Sequence, residues 1–374
     1  MKNTMGIILT GWKKSGLKEL TAIRSASALP VGGKYRAIDF VLSNMVNSGI
    51  RNVGVLTQYS YRSLMDHLGS GKEWDLDRRY GGLLIFPPSL GVDDSGWYRG
   101  TADSMYKNLS FLRRSHQEYV IIAMGNGIYK MQYNDLFDFH ISKNADITVV
   151  YREMTDFLPE DLNQLGIITV NKTDSFIEDF QEKPLHPFTK SGSMGIYFLK
   201  KDLLISLLEE CAAHGDYDFV KDIIIKKVGR LKIFGYRFDG YFRAMNTLGM
   251  YYRCNMDFLR LEIRSELLIE NGKIYTKVKD ETPAKYNEEA EVRNSVVADG
   301  CIIEGNVEGS VLFRGVSVKK GAMVKNSIIM QGSVINEGAV LENVIMDKEA
   351  VIGSGRYLRG EEAWPVVVGK NAVV

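Results

Sequence analysis

The chain has 374 residues, of which 45% are hydrophobic and 25% are charged, so it is long enough for two domains with separate cores. Its 47 basic and 46 acidic residues give a net charge of +1, which gives no support to a nucleic-acid or membrane-surface partner. Three widely spaced cysteines, Cys211, Cys254 and Cys301, form no metal-binding spacing or disulfide framework. Because no apolar run has the length of a membrane span or a signal peptide, we expect a cytoplasmic protein.

Short apolar strands alternate with amphipathic helices over the first two-thirds of the chain. In chain order, the sequence predicts strand 6–9, helix 36–46, strand 52–56, helix 101–114, strand 119–124, helix 134–142 and strand 147–151. This alternation predicts an α/β domain with a mostly parallel sheet that is covered by helices on both faces. Ligands of such sheets bind at the carboxyl ends of the strands.

A different pattern follows a predicted long helix, 249–269, and a polar segment, 271–289. From Ala290 onwards glycines and β-branched residues recur, and the segment 326–329 returns in similar form seventeen positions later. Three sides of nearly six residues per coil predict a parallel β-helix, with an antiparallel β-sandwich as the alternative. We therefore divide the chain into an α/β domain, 1–248, a helix and linker, 249–289, and a β-helix, 290–374.

Many β-helices of this kind belong to acyltransferases, which generally use a histidine as a general base. All of the five histidines in this chain precede Ala290; they are His67, His116, His140, His186 and His214. We therefore expect the β-helix to serve assembly and regulation rather than acyl transfer.

Eight segments of the first domain form an ordered series of motifs, at 32–40, 42–44, 54–59, 74–78, 97–103, 182–184, 193–197 and 218–222. These motifs, in the same order along the chain, resemble those of bacterial glucose-1-phosphate adenylyltransferase, also called ADP-glucose pyrophosphorylase. The resemblance covers nearly the whole chain. It implies a Rossmann-like nucleotidyltransferase domain with a mixed, mostly parallel sheet, followed by a left-handed β-helix of hexapeptide repeats.

The resemblance also implies ligand contacts. They are sugar-phosphate contacts at Glu182, Lys183 and Ser193, nucleotide-pocket positions at Tyr98, Gly100 and Thr101, and contacts to a phosphorylated effector at Lys34 and Arg36. A Gly-Gly-Lys turn can present amides and a cation to phosphate. The alternatives are structural, with Lys183 and Ser193 preserving packing and Lys34 and Arg36 solvated or tied to a helix start.

Positions that carry the family's chemistry hold different residues here. Gly16 replaces an arginine that screens phosphate charge, Ala26 replaces a lysine, and Trp12 and Lys14 replace glycines of the first loop. The family's two magnesium-binding aspartates correspond to Asn126 and Ala244, the latter in a segment, 242–247, that replaces Trp-x-Asp-x-Gly-Thr. An alternative role for Asn126 is that of a turn residue in a left-handed conformation beside Gly127.

These substitutions predict little catalytic activity. Magnesium needs hard anionic oxygens, and losing one group that stabilises a charged transition state commonly costs about a hundredfold to a thousandfold in rate. The pattern resembles the non-catalytic, D-type subunit of ADP-glucose pyrophosphorylase in glycogen synthesis. We expect the chain to have no metal or cofactor of its own and to join a homologous catalytic subunit, which uses magnesium, in a mixed tetramer.

Two alternatives stay open at this point. The first is an active nucleotidyltransferase with another metal geometry, for which the available carboxylates are Asp103, Asp218, Asp222 and Asp239. The second is a stand-alone sugar-phosphate sensor or scaffold without a catalytic partner.

Overall fold

The structure is a computed structural model that describes residues 1–11, 16–88, 96–270 and 272–374. The predicted substitutions at Trp12 and Lys14 lie outside these residues. None of the helices in the described ranges is long and apolar enough to cross a membrane.

In the described ranges, the first domain is built on a mixed β-sheet of nine strands, with two small two-stranded sheets, β2–β3 and β7–β13, beside it. The strands of the domain are β1 (Thr4–Leu9), β2 (Pro30–Val31), β3 (Tyr35–Arg36), β4 (Asn52–Leu56), β5 (Gly82–Phe86), β6 (Tyr119–Met124), β7 (Gly127–Tyr129), β8 (Ile147–Glu153), β9 (Gly166–Val170), β10 (Ile177–Glu182), β11 (Ser191–Lys200), β12 (Ile233–Arg237) and β13 (Phe242–Ala244). Strands β5, β4, β1 and β6 are neighbours in that order and run parallel. Strand β11 runs antiparallel between β6 and β8, and β12 is parallel to β8. The prediction of a mixed, mostly parallel sheet is confirmed.

Helices cover both faces of this sheet. They are α1 (Ala37–Asn47), α2 (Arg62–Leu68), α3 (Thr101–Tyr106), α4 (Leu109–Arg114), α5 (Tyr133–Ser142), α6 (Pro159–Leu162), α7 (Lys201–Ala213), α8 (Ile225–Lys227), α9 (Leu248–Asp257) and α10 (Leu261–Arg264). Because successive strand residues point to opposite faces, Ile8 packs in one core with α1 and α5, and Ile7 packs in another with α3, α4 and α7.

Two helices that the sequence predicts as continuous are interrupted in the structure, so the prediction of unbroken helices was wrong there. The predicted helix 101–114 divides into α3 and α4 at Asn108, whose side chain donates to the Ser104 carbonyl oxygen at 2.8 Å and to the Tyr98 hydroxyl at 3.0 Å. The predicted helix 249–269 ends at Asp257 and resumes at Leu261. The interruption places Phe258 against Gly32, where a Cβ would lie 2.6 Å from the ring.

The second domain is a parallel β-helix. Its strands are β14 (Lys285–Tyr286), β15 (Glu291–Arg293), β16 (Val296–Val297), β17 (Ile302–Ile303), β18 (Asn306–Glu308), β19 (Val311–Leu312), β20 (Ser317–Val318), β21 (Met323–Lys325), β22 (Ile328–Ile329), β23 (Val334–Ile335), β24 (Val340–Glu342), β25 (Val344–Met346), β26 (Val351–Ile352), β27 (Tyr357–Arg359) and β28 (Val366–Val368). They form three sheets of five parallel strands within residues 272–374, which are described without a gap. The first coil begins at β14, ahead of Ala290, where the repeat becomes visible in the sequence.

The repeat seen in the sequence marks the corners of the coils. Asn326 and Asn343, seventeen positions apart, both have positive φ angles of 46° and 53°. Gly321 and Gly338, at the same spacing, have φ angles of 71° and 67°. Glycine and asparagine adopt this left-handed region more readily than other residues, so the corners select for them.

The two domains share a buried core and a buried ion pair. Tyr251 of α9 and Phe258 pack in one cluster with Phe313 and Ile328 of the β-helix. Arg24 donates to the Asp347 carboxylate at 2.8 Å, and both side chains are almost fully buried. The β-helix is therefore attached directly to the loop that follows β1, at the carboxyl edge of the sheet.

Candidate functional site

Two positions that the resemblance assigns to metal ligands lie next to each other in the fold. Asn126 is in the turn between β6 and β7, and Ala244 is the last residue of β13. Strand β13 pairs with β7 in antiparallel register, with Ala244 opposite Gly127. The Met245 amide also donates to the Asn126 carbonyl oxygen at 3.1 Å. The fold thus brings residues 126 and 244 together and presents an amide and a methyl group there.

The Asn126 side chain is held by hydrogen bonds. Its Nδ2 donates to the Met245 carbonyl oxygen at 3.2 Å and to Asn246 Oδ1 at 2.8 Å. Asn246 Nδ2 in turn donates to the Gln164 carbonyl oxygen at 3.2 Å. Asn126 does not have a positive φ angle, so its interpretation as a left-handed turn residue was wrong. It serves instead as a cross-link between the β6–β7 turn and the end of β13.

A cavity of about 490 Å³ lies on one side of this turn. Its lining includes the substituted positions Gly16 and Ala26 and three cations, Lys18, Arg24 and Lys183. Gly16 forms a backbone bridge with Thr247, and a Cβ at Gly16 would lie 3.0 Å from the Asn246 carbonyl oxygen. Because backbone atoms cannot yield as a flexible side chain can, an arginine at position 16 would require the 246–247 segment to move.

A second cavity, of about 120 Å³, lies on the other side of Asn126. The predicted sugar-phosphate contacts Glu182, Lys183 and Ser193 all line it. Ser193 is buried, and its hydroxyl accepts from the Gly195 amide at 3.2 Å. Burial raises the pKa of Glu182, against the opposing effect of Lys183, whose Nζ lies 3.8 Å from Glu182 Oε1. The fold therefore assembles these residues around one space, while their role as ligand contacts stays a prediction.

The predicted nucleotide-pocket residues occupy different environments. Thr101 lines the 120 Å³ cavity and its hydroxyl accepts from the Phe219 amide at 2.7 Å. Gly100 packs so closely on Tyr217 that a Cβ would overlap the Tyr217 carbonyl oxygen. Tyr98 is buried, and its hydroxyl donates to the Pro87 carbonyl oxygen at 3.1 Å. Neither Tyr98 nor Gly100 is among the described residues that line the two cavities.

The four carboxylates considered for another metal geometry are occupied elsewhere. Asp103 accepts from the Arg99 amide at 2.9 Å, and Asp218 accepts from the Val220 amide at 2.9 Å. Asp222 accepts from the Asp218 amide at 2.8 Å, and Asp239 is paired with Arg237 at 2.7 Å. Among the described residues, no group of three His, Cys, Asp or Glu side chains could hold a metal ion.

A separate cavity of about 160 Å³, here called the basic cavity, lies between the two domains. Both predicted effector contacts, Lys34 and Arg36, line it. The β-helix contributes Arg314 and Lys348, and the segment between the domains contributes Lys277 and Lys279. Asp66 is the single carboxylate among the described lining residues. Such an excess of cations in a concave space between domains is suited to a polyanion such as a phosphorylated metabolite.

Two of the bases that line the basic cavity have pKa values below their ordinary ones. Burial, together with the nearby Arg36 and Arg24, lowers the pKa of Lys348 to about 7, against the opposing effect of Asp347. Burial also lowers the pKa of Arg36, against the opposing effect of Asp39. The Arg36 guanidinium donates to the Ser63 carbonyl oxygen at 2.7 Å. The cations of this cavity therefore repel one another, and an anion would relieve that repulsion.

Sequence reasoning missed the residues that other segments bring to these sites. Asn246 stands at the glycine of the Trp-x-Asp-x-Gly-Thr motif, and this substitution is the sequence signal that points to it. Lys277 and Lys279 lie in a polar segment that gave no indication of a ligand. Arg314 and Lys348 belong to different coils of the β-helix, and no pattern in the sequence connects them to Lys34.

Comparisons with known proteins agree with this architecture. Residues 5–243 match the family model described as "Nucleotidyl transferase", and residues 280–362 match "GlmU-like, C-terminal hexapeptide". The hexapeptide match and the three parallel sheets confirm the left-handed β-helix and rule out a β-sandwich. The fold and these matches place the chain among the nucleotidyl transferase proteins that carry a C-terminal hexapeptide β-helix.

Individual relatives define the family more closely. The glucose-1-phosphate adenylyltransferase of Geobacillus stearothermophilus is 39% identical over 327 residues, which cover 87% of this chain and 84% of the relative. The same enzyme from Clostridium perfringens (strain SM101 / Type A) is 41% identical over 329 residues, covering 87% of this chain and 84% of the relative. The Thermotoga maritima enzyme is 40% identical over 329 residues, which cover 87% of this chain and 77% of the relative. The chain belongs to the glucose-1-phosphate adenylyltransferase family.

Proposed function

We propose that this chain is a regulatory, catalytically impaired subunit of glucose-1-phosphate adenylyltransferase in glycogen biosynthesis. It joins a homologous catalytic chain in a mixed tetramer and changes that chain's response to a phosphorylated effector. The partner makes ADP-glucose and pyrophosphate from ATP and glucose 1-phosphate and holds the magnesium ion.

One observation carries the proposal. The two positions that correspond to metal-binding aspartates are adjacent, and they offer Asn126 and Ala244. Nucleotidyl transfer between two phosphorylated substrates brings several negative charges together, and neutralising those charges supplies much of the catalysis. An amide whose nitrogen faces oxygen atoms and a methyl group provide no anionic oxygen for that purpose.

The regulatory part of the proposal is supported by the basic cavity. Its cations come from the first domain, the linking segment and the β-helix, so an anion that binds all three changes how firmly these parts are held together. Arg24 lines the cavity of about 490 Å³ and is paired with Asp347, and Lys348, the next residue, lines the basic cavity. A ligand in the basic cavity can therefore bias the loop that contains Arg24, beside the cavity of about 490 Å³.

The experiment is a reconstitution. The chain is purified alone and together with the homologous catalytic chain encoded in the same genome, and ADP-glucose synthesis is measured across a range of phosphorylated effectors. We expect co-purification and a changed effector dependence in the mixture. A mixture that behaves like the catalytic chain alone would contradict the proposal, and independent sugar-phosphate binding without co-purification would favour a stand-alone sensor.

A further inference from the structure

The cross-link at Asn126 has the geometry of a bridge between oxygen atoms. Its Nδ2 lies between the Met245 carbonyl oxygen, at 3.2 Å, and Asn246 Oδ1, at 2.8 Å. A metal ion at such a place would lie between an oxygen of the residue 126 side chain and oxygens after β13. Here the Asn126 NH₂ group contacts the oxygens after β13 directly, and it carries no full charge.

The orientations of the two amides follow from their partners. The Met245 and Gln164 carbonyl oxygens can only accept hydrogen bonds, so each requires an NH₂ group from the side chain that faces it. Gln164 therefore fixes Asn246 with Nδ2 towards itself and Oδ1 towards Asn126. Asn126 must then present Nδ2, and every donor and acceptor along this path is matched.

The side chains present do not fit a magnesium ion. The space between the Met245 and Asn246 oxygens is filled by the Asn126 nitrogen, which is not a metal ligand when it is an amide NH₂. Ala244 offers no oxygen in its side chain. The Asn246 backbone also lies against Gly16, so this packing connects the Asn126 cross-link to the first loop.

We propose that Asn246, by holding Asn126 in this cross-link, takes the structural place of a metal ion, and that the adjoining pocket binds a sugar phosphate without a divalent cation. The inference rests on the proposed function in taking the chain to be non-catalytic. Asn246 is then a third residue, beside Asn126 and Ala244, that removes metal dependence from this site. The ligand groups left for a sugar phosphate are Glu182, Lys183 and Ser193.

The first test replaces the bridging nitrogen by an oxygen. In Asn126→Asp, a carboxylate would face two oxygens, so the protein should lose about 2–4 °C in thermal midpoint in EDTA and regain it in millimolar Mg²⁺. The parent chain should show no difference between EDTA and Mg²⁺. The control is Asn371→Asp, which adds the same charge at an exposed turn, and it should not respond to Mg²⁺.

The position of Asn246 in the bridge is tested separately. The double variant Asn126→Asp with Asn246→Ala should lose most of the response to Mg²⁺, because one of the bridged oxygens is gone. An Asn126→Asp variant with no metal response, or a parent chain stabilised by Mg²⁺, would overturn the inference.

The ligand test uses glucose 1-phosphate and calorimetry on the full chain. We expect binding in EDTA, with a dissociation constant that Mg²⁺ changes by less than about twofold. No binding in EDTA, or binding that requires Mg²⁺, would overturn the inference while leaving a non-catalytic role intact. Sustained ADP-glucose synthesis by the isolated chain would instead contradict the proposed function.

Discussion

The two cavities beside Asn126, here called the sheet-edge cavities, and the basic cavity differ in their charged groups. At the sheet edge, the positions expected to carry two carboxylates, an arginine and a lysine hold Asn126, Ala244, Gly16 and Ala26. Between the domains, cations from three segments of the chain line one space with a single carboxylate among the described residues. Under the proposed function, chemistry and anion recognition are separated within one fold. Groups that would support catalysis are replaced at the sheet edge, while the basic cavity keeps a cluster of cations suited to an anion.

The largest effect should come from breaking the ion pair that joins the two regions. In Arg24→Met, Asp347 remains buried without its partner, and we expect a loss of about 3–5 kcal/mol in the free energy of unfolding. Urea denaturation followed by circular dichroism measures it. The double variant Arg24→Met with Asp347→Leu should recover much of the loss, since no charge is then left unpaired. A loss below about 1 kcal/mol in the single variant would show that the pair does not hold the domains together.

Removing charge from the basic cavity should have the next largest effect. Lys34→Gln combined with Arg36→Gln removes two cations from the lining, and we expect sulfate to bind at least about tenfold more weakly. Isothermal calorimetry on the folded variant measures the change. The matched control is Lys183→Gln, which removes a cation from the sheet-edge cavities and should leave the sulfate affinity of the basic cavity unaltered. Equal losses in both variants would mean that sulfate binds at the sheet edge.

The pH dependence of anion binding should be smaller and is set by Lys348. Its pKa is about 7 in the folded chain, below the ordinary value of 10.5, so the side chain is charged below pH 7 and neutral above it. Sulfate stays fully ionised over this range, and we expect its affinity to fall several-fold between about pH 6 and pH 8. Lys348→Arg keeps its charge and should bind sulfate with little dependence on pH. A parent chain whose affinity does not change with pH would contradict this assignment.

Lys348 also makes the stability of the folded chain depend on pH. Between pH 7 and 10.5 the unfolded chain holds a proton on Lys348 that the folded chain lacks, so the contribution of this group to stability rises with pH. The destabilising effect of its burial is complete below pH 7 and disappears as the pH passes 10.5. A bound anion should reduce this dependence because it favours the charged lysine.

Much of the fold could be predicted from the sequence because its signals are local. Apolar runs indicated the strands around β1, β4 and β6, and the seventeen-residue repeat indicated the coils through corner residues such as Asn326 and Asn343. Continuity of the helices could not be predicted in the same way. Periodicity extends across Phe258, but packing of its ring against Gly32 decides where α9 ends.

The candidate sites also contain some residues that local motifs indicate and others that only long-range packing brings in. The resemblance indicated residues such as Lys34 and Ser193 because each lies within a recognisable motif. It could not indicate that Asn246 closes the bridge to Asn126, since that contact joins residues 120 positions apart. Nor could it indicate Lys348, because the β-helix reaches the basic cavity only after the two domains have packed together. Long-range packing, rather than local pattern, determines these contacts.

Catalytic impairment is tested by the initial rate of ADP-glucose formation by the purified chain alone, with saturating ATP, glucose 1-phosphate and Mg²⁺. Because the groups expected to neutralise phosphate charge are replaced together, we predict a rate below about a thousandth of that of a catalytic relative measured in parallel. A rate within about tenfold of that relative would contradict the account, since it would require a metal site that Asn126 and Ala244 do not provide.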